Sequence, residues 1–304
     1  MAETALETVG LTRSFGTRRA VSELSLCVSE GDVYGFLGPN GAGKTTAIRC
    51  MLGLLRMDAG TVQIFGESDP VRQRAHVGAL VETPAFHPWM SGIDNLRRAA
   101  AFAGRGSPAD IMTALEWVGL RGREQDRVRS YSLGMRQRLG IARALLGKPR
   151  MLILDEPTNG LDPRGMKEVR DLLLSLASDH QITIFISSHL LGEVEQLCSR
   201  VGIIEKGCLI AEGTPSELAA RQQVAFEVGA SDMAALATAL SGLPGVAVQG
   251  EGRRGRLRVA LSAGQTSSAL NRALLEAGVV VDALIPVTES LESLFLSLTS
   301  EELT

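Results

Sequence analysis

The sequence predicts an α/β protein built on a parallel sheet, followed by a small α+β domain. Up to about residue 220, short apolar segments of strand length alternate with amphipathic helical segments, the pattern of strands joined by crossover helices. Beyond Arg221 the predicted order becomes β-α-β-β-α-β, which is that of a ferredoxin-like domain. We therefore expect one domain at residues 1–221 and a second at 222–304.

Five strands are predicted in the first domain, at residues 33–37, 77–81, 151–154, 182–187 and 201–205. Each is a short apolar run, and three of them are followed promptly by a helix-like segment, as a parallel sheet requires. Residues 91–146 differ, because they are almost wholly helical in pattern, and we expect a separate helical lobe there.

In the second domain, strands are predicted at residues 224–228, 246–249, 256–261 and 279–285, and helices at 232–240 and 266–277. A last amphipathic helix is predicted because apolar residues recur at i, i+3, i+4 and i+7, namely Leu291, Leu294, Phe295 and Leu298. This helix either closes its own domain or contacts a second copy of the chain.

Composition narrows the class of protein. The 304 residues are 45% hydrophobic, and the net charge of −3 argues against general attraction to nucleic acid or anionic lipid. No pair of cysteines has the spacing of a disulfide framework or zinc site. The start of the chain lacks the features of a secretory signal, and the apolar runs are too short to span a membrane. We expect a cytoplasmic protein with no nucleic-acid partner.

A phosphate-binding loop is predicted between the strand at 33–37 and a helix at about 44–54. The segment fits the pattern G-x-x-x-x-G-K-[ST] and reads Gly38-Pro39-Asn40-Gly41-Ala42-Gly43-Lys44-Thr45. Glycines let backbone N–H groups surround an anion, and the helix N-terminus adds its positive dipole. Lys44 can bridge the outer phosphates, and the Thr45 hydroxyl can ligate Mg²⁺.

Two carboxylates, Asp155 and Glu156, follow the strand predicted at 151–154. The carboxyl edge of a buried strand is the expected place for a magnesium site, so Asp155 can hold the metal. Glu156 can then polarise an attacking water. His189 follows the next strand and can donate a hydrogen bond to a γ-phosphate. Each residue alone is also common in structural roles, and their combination with Lys44 carries the interpretation.

Together these segments, in this order, resemble the ATP-binding cassette (ABC) ATPases over about residues 6–220. Residues 38–45 look like the family's Walker A motif, residues 151–156 like Walker B, residues 160–162 like the D-loop, and His189 like the switch histidine. Residues 131–135 stand where the family has its L-S-G-G-Q signature, although only Ser132 and Gly134 match it. The form Y-S-L-G-M-R-Q-R at residues 131–138 is typical of exporter subunits, many of them for drug or bacteriocin resistance. Alone, Ser132 would be an ordinary helix cap.

The resemblance implies a P-loop NTPase cassette, with a RecA-like core, an antiparallel β subdomain and a helical lobe, that binds and hydrolyses ATP with Mg²⁺. It implies catalytic roles for Lys44, Glu156 and His189, and metal contacts from Thr45, Asp155 and Glu82. It also implies a sandwich homodimer, in which the signature of one copy completes the site of the other. The implied nucleotide contacts are Phe15, Gly38, Pro39, Asn40, Gly41, Ala42, Gly43, Lys44, Thr45, Thr46, Glu82, Ser132, Gly134 and Asp162.

One position departs from the family pattern. Glu82 stands where the family usually has a glutamine that ligates Mg²⁺ and links the site to the membrane partner. A carboxylate can still bind the metal, but it adds negative charge near the phosphates. A glutamate here is reminiscent of transporters that protect producers of lantibiotics and related peptides.

The resemblance also implies a membrane partner on separate chains. The segment after Glu82 corresponds to the family's groove for a coupling helix, and Phe86, Trp89 and Met90 are suitable apolar anchors. The alternative is a loop that packs these side chains onto its own helical lobe. We expect a subunit attached through this partner to the inner face of the cell membrane.

Alternatives to a transport ATPase remain at this point. A soluble cassette ATPase of translation or DNA repair shares the motifs, but such proteins usually have two cassettes with a charged linker or long inserted coiled coils. A P-loop kinase or GTPase would not account for the segment around Ser132 or for His189.

Overall fold

The computed structural model describes residues 3–82, 84–220, 224–252, 255–262 and 265–287. The chain divides into two compact units between Pro215 and Ser216. This division lies within a short helix, α8 (Pro215–Ala220), and slightly before the predicted boundary at residue 221.

The first unit begins with a three-stranded antiparallel sheet. It contains β1 (Thr4–Phe15), β2 (Arg18–Ser29) and β4 (Ala59–Ile64), with β1 in the middle. Gly60 lies in this sheet with a φ of 95°, and a Cβ there would be 2.5 Å from the backbone of Gly10. Only glycine fits such a close strand approach.

A second, six-stranded sheet forms the α/β core. In spatial order its strands are β5 (Val77–Leu80), β6 (Met151–Asp155), β7 (Thr183–Ser188), β3 (Val33–Leu37), β8 (Arg200–Glu205) and β9 (Cys208–Gly213). The first five are parallel, and β9 is antiparallel to β8. The predicted α/β fold is confirmed, whereas the antiparallel edge strand was not predicted.

The helices of this core are α1 (Lys44–Met51), α2 (Pro70–Gln73), α6 (Pro163–Ser178) and α7 (Leu191–Leu197). Helix α1 was predicted to reach residue 54 but ends at Met51, because Gly53 takes a left-handed φ of 64° that terminates helices. At the centre of the sheet, the Phe185 ring lies 5.4 Å from those of both Tyr34 and Phe36. Burying each ring stabilises the fold by roughly 1.5–3 kcal/mol.

Residues 91–146 contain three helices, α3 (Gly92–Ala103), α4 (Pro108–Trp117) and α5 (Leu133–Ala144), with a 3₁₀ turn at Val128–Ser130. Each helix begins after a serine whose hydroxyl accepts a backbone N–H of the first turn, at Ser91, Ser107 and Ser132. Such caps satisfy N–H groups that have no partner inside the helix. Across the described ranges, no helix has the length and apolar character needed to cross a membrane.

Within the described residues from 224 to 287, the second unit forms an antiparallel sheet with two helices. Its elements are β10 (Val224–Ala230), α9 (Met233–Gly242), β11 (Val246–Glu251), β12 (Leu257–Leu261), α10 (Ser267–Glu276) and β13 (Val281–Val287). The spatial order is β11-β12-β10-β13, and the chain order is the predicted β-α-β-β-α-β. Its core includes Phe226, Leu236 and Leu274. The predicted helix containing Leu291 and Leu298 lies outside the described residues.

The register of the parallel strands brings their carboxyl ends to one edge. Leu37 of β3 lies opposite Ser188 of β7, and Asp155 of β6 lies opposite Ser187. The loops that follow these strands therefore meet at the same edge of the sheet, which is where ligands bind in open α/β folds.

Candidate active site

The loop of residues 38–45 joins β3 to α1 at this edge. A Cβ on Gly38 would lie 2.4 Å from the Ile204 carbonyl oxygen, and one on Gly43 would lie 2.2 Å from that of Ala20. Gly43 also has a φ of 107°. Both positions therefore require glycine. With no side chains there, the loop can pack against the neighbouring backbone and curve in front of the N-terminus of α1.

Lys44 is buried inside this turn, with 6% of its side chain exposed. Its ammonium donates to the carbonyl oxygens of Gly38, at 2.6 Å, and Pro39, at 3.2 Å. It also lies 3.1 Å from Oε1 of Glu156. The backbone carbonyls hold the charge at the mouth of the loop, where it can reach a bound phosphate.

Asp155 is fixed through both carboxylate oxygens. Oδ2 accepts from the Thr45 hydroxyl at 2.7 Å, and Oδ1 accepts from the Ser187 hydroxyl at 2.5 Å. The hydroxyl at the start of α1 and the carboxylate at the end of β6 are thus within one hydrogen bond of each other. Hydroxyl and carboxylate oxygens are donors that Mg²⁺ prefers beside phosphates, so the residues present fit this metal.

Glu156 has a strained backbone and two charged or polar neighbours. Its φ is 49°, a left-handed value uncommon for a side chain with a Cβ and often found at functional sites. Its N–H donates to the Ser187 hydroxyl at 3.0 Å. Its Oε2 lies 2.6 Å from Nδ1 of His189, whereas its other carboxylate oxygen, Oε1, contacts Lys44. The structure thus brings Lys44, Glu156 and His189 into one cluster.

A cleft of about 450 Å³ opens in front of the loop. Phe15 stands at this cleft half-exposed, with the Arg13 guanidinium 4.8 Å from its ring centre. The lining includes residues that sequence analysis predicted and three, Arg18, Ala20 and Asn159, that it missed because none belongs to a recognisable pattern. The lining residues are Phe15, Arg18, Ala20, Pro39, Asn40, Gly41, Gly43, Lys44, Thr45, Thr46, Glu156 and Asn159.

Six predicted nucleotide contacts do not line this cleft. They are Gly38 and Ala42, which lie within the loop itself, Glu82, and the three residues Ser132, Gly134 and Asp162. The Ser132 hydroxyl caps α5 by accepting the Met135 N–H at 3.1 Å, and the Asp162 carboxylate caps α6. A Cβ on Gly134 would lie 3.9 Å from a Leu161 methyl group. Ser132, Gly134 and Asp162 are therefore near one another in the first unit and outside the cleft in front of its own phosphate loop. Leu133, between Ser132 and Gly134, lines the neighbouring cavity together with Thr45.

Glu82 lies just beyond the end of β5 and is exposed, with a left-handed φ of 64°. It lines a neighbouring cavity of about 290 Å³ together with Thr45 and Asp155. Its carboxylate forms an ion pair with Arg49 of α1. The structure thus places Glu82 beside the candidate metal donors but pairs it with a cation.

A strand, a glycine loop and a helix enclose a buried lysine, and the threonine that follows it donates to an aspartate at the end of β6. This arrangement defines a P-loop nucleoside triphosphatase. The family model described as "ABC transporter" matches residues 21–159. The bacitracin transport ATP-binding protein BcrA of Bacillus licheniformis is 41% identical over 298 residues, covering 97% of each chain. The chain belongs to the ATP-binding subunits of ABC transporters.

Two further comparisons agree with this. The lantibiotic transport ATP-binding protein SrtF of Streptococcus pyogenes is 39% identical, covering 68% of this chain and 90% of the relative. The structure of cbiO1 from Clostridium perfringens, part of the ABC transporter complex cbiONQ, superposes with a TM-score of 0.65 at 26% identity, over 72% of this chain and 92% of cbiO1. The protein is an exporter-type ABC ATPase subunit, which binds ATP and hydrolyses it to power transport.

Proposed function

We propose that this subunit powers the export of peptide antibiotics of the bacitracin kind. The similarity to a bacitracin transport protein extends over 97% of this chain, including the second unit. The lantibiotic transport relative matches only 68% of it. The proposal therefore covers a broader class of peptide antibiotics than the lantibiotics that Glu82 suggested from the sequence.

The cluster around Glu156 supports a division of roles in hydrolysis. Lys44 would stabilise charge on the γ-phosphate, Glu156 would polarise the attacking water, and His189 would hold Glu156 in place and contact the γ-phosphate. Thr45 and Asp155 would hold Mg²⁺, which when bound neutralises charge on the outer phosphates. Phe15, half-exposed at the cleft, would stack on the adenine ring.

The residues outside the cleft support a dimer of two such chains. Ser132 and Gly134 lie at the N-terminus of α5, where free N–H groups and the helix dipole favour an anion. In a symmetric pair, this terminus and Asp162 would face the phosphate loop of the partner. The single-chain geometry, with these residues outside the cleft of their own loop, fits that arrangement.

The loop after Glu82 would receive a helix of the membrane-spanning permease. Trp89 is 66% exposed, and its ring lies 5.1 Å from that of His87. Phe86 is instead half-buried, with the Arg143 guanidinium 5.3 Å from its ring centre. Burial lowers the pKa of Arg143 from its ordinary value. Trp89 is thus the best-placed anchor, with Phe86 and Met90 beside it, and it would attach the subunit to the inner face of the membrane.

The test is co-purification with the permease from detergent-solubilised membranes. Trp89→Ala should lower the amount of permease recovered at least fivefold without weakening ATP binding, because an exposed aromatic anchor contributes about 1–2 kcal/mol. Leu54→Ala, another exposed apolar residue, which lines a different cavity, serves as the control. Unchanged recovery with Trp89→Ala would remove the proposed docking site.

The substrate is tested separately by antibiotic susceptibility. Cells that express this subunit with its permease should tolerate more bacitracin than cells expressing the Lys44→Ala variant. Equal sensitivity of the two strains would exclude bacitracin-type peptides as cargo.

A further inference from the structure

Glu82 and Arg49 form an ion pair between two segments that border the candidate metal site. Arg49 lies in the last turn of α1, the helix that begins with Lys44 and Thr45. Glu82 follows β5 and shares a cavity with Thr45 and Asp155. The pair therefore links the phosphate-binding helix to the segment that leads from β5 towards the proposed permease groove.

The position of Glu82 creates an electrostatic problem that Arg49 can solve. Asp155, Glu156 and Glu82 all line this cavity, and a third carboxylate there adds repulsion towards the phosphates of a bound nucleotide. A glutamine at this position would add no charge. The Arg49 guanidinium neutralises the extra charge by pairing with Glu82, and it takes no part in the hydrogen bond between Thr45 and Asp155.

The pair is also suited to exchange. Both side chains are substantially exposed, 41% for Arg49 and 62% for Glu82, and exposed ion pairs are weak. A divalent cation held by Thr45 and Asp155 would compete with the guanidinium for the same carboxylate. The Glu82 carboxylate thus has two alternative positive partners, the Arg49 guanidinium and the divalent cation.

We propose that Arg49 is a positioning residue that holds the Glu82 carboxylate away from the metal site and competes with magnesium for it. The inference rests on the proposed nucleotide and magnesium site and adds a residue to it. Arg49 tunes how much magnesium the site needs.

The experiment is a magnesium titration of the binding of a fluorescent ATP analogue to the full chain. Arg49→Ala frees Glu82, so half-maximal binding should require about threefold less Mg²⁺ than in the wild type. Arg49→Lys keeps a cation in place and should stay near the wild-type value. In the Glu82→Gln background, Arg49→Ala should have no effect, because no carboxylate remains to compete for.

A second role of Arg49 is separated by the same set of variants. A basic residue in the last turn also stabilises the helix dipole, so Arg49→Ala could lower thermal stability in either background. An equal shift of magnesium requirement with and without Glu82, or no shift at all, would overturn the inference. If the wild-type chain binds no nucleotide at any magnesium concentration, the proposed site fails as well.

Discussion

The Glu156→Gln variant tests the chemistry of the site most closely. The substitution preserves the size of the side chain and removes the negative charge that lies 3.1 Å from Lys44 and 2.6 Å from His189. At an effective dielectric constant of about 20, the gross attraction across the contact with Lys44 is about 5 kcal/mol. Removing it leaves Lys44 bound to two backbone carbonyls and more available to phosphate.

Two opposite effects are therefore expected from this one change. Turnover should fall by about 10²–10⁴-fold, or roughly 3–5 kcal/mol, because the group that polarises water is lost. Affinity for ATP should be unchanged or tighter, and the variant should accumulate as an ATP-bound dimer. Phosphate release measures the first effect, and size-exclusion chromatography with MgATP measures the second.

The control is Glu116→Gln, which changes an exposed carboxylate paired with Arg121 on the helical lobe. It should leave turnover unchanged, because exposed ion pairs contribute little. If Glu156→Gln hydrolyses ATP within about threefold of the wild-type rate, Glu156 is not the residue that activates water.

Two further predictions concern residues around the site and the core. Glu193 accepts a hydrogen bond from the Thr158 hydroxyl at 2.7 Å, which ties the loop after Glu156 to helix α7. Glu193→Ala should therefore lower kcat about tenfold with little change in KM, and an unchanged kcat would contradict this. Burial raises the pKa of Cys50 to about 11 and that of Cys198 to about 12, so iodoacetamide at pH 8 should label the two exposed cysteines first; mass spectrometry showing equal labelling of all four would contradict the burial.

The sequence predicted the fold well for elements that depend on residues close together in the chain. The strand, loop and helix around residues 38–45 follow from glycine spacing and apolar periodicity within one segment. Strand β9 escaped prediction because its apolar run, from Cys208 to Ala211, is only four residues long, and most side chains of this antiparallel edge strand are exposed or partly buried. The end of α1 was misplaced because Gly53 was not read as a stop signal.

The site was harder to predict than the fold, because its contacts join distant parts of the chain. The Arg49–Glu82 pair spans 33 residues, and no spacing rule connects a helix end to the segment after another strand. Arg18 and Asn159 line the cleft only because the fold brings them there, since neither belongs to a motif that the sequence analysis identified. The left-handed backbone of Glu156 likewise has no sequence signal, since glutamate carries no preference for it.

The central claim is that the loop around Lys44 binds the phosphates of ATP. Isothermal titration calorimetry of MgATP into the wild-type chain and the Lys44→Ala variant tests it most directly. We predict saturable binding to the wild type and affinity reduced at least tenfold in the variant, since the buried ammonium is lost. Equal affinity in both proteins, or no heat of binding in either, would contradict the assignment.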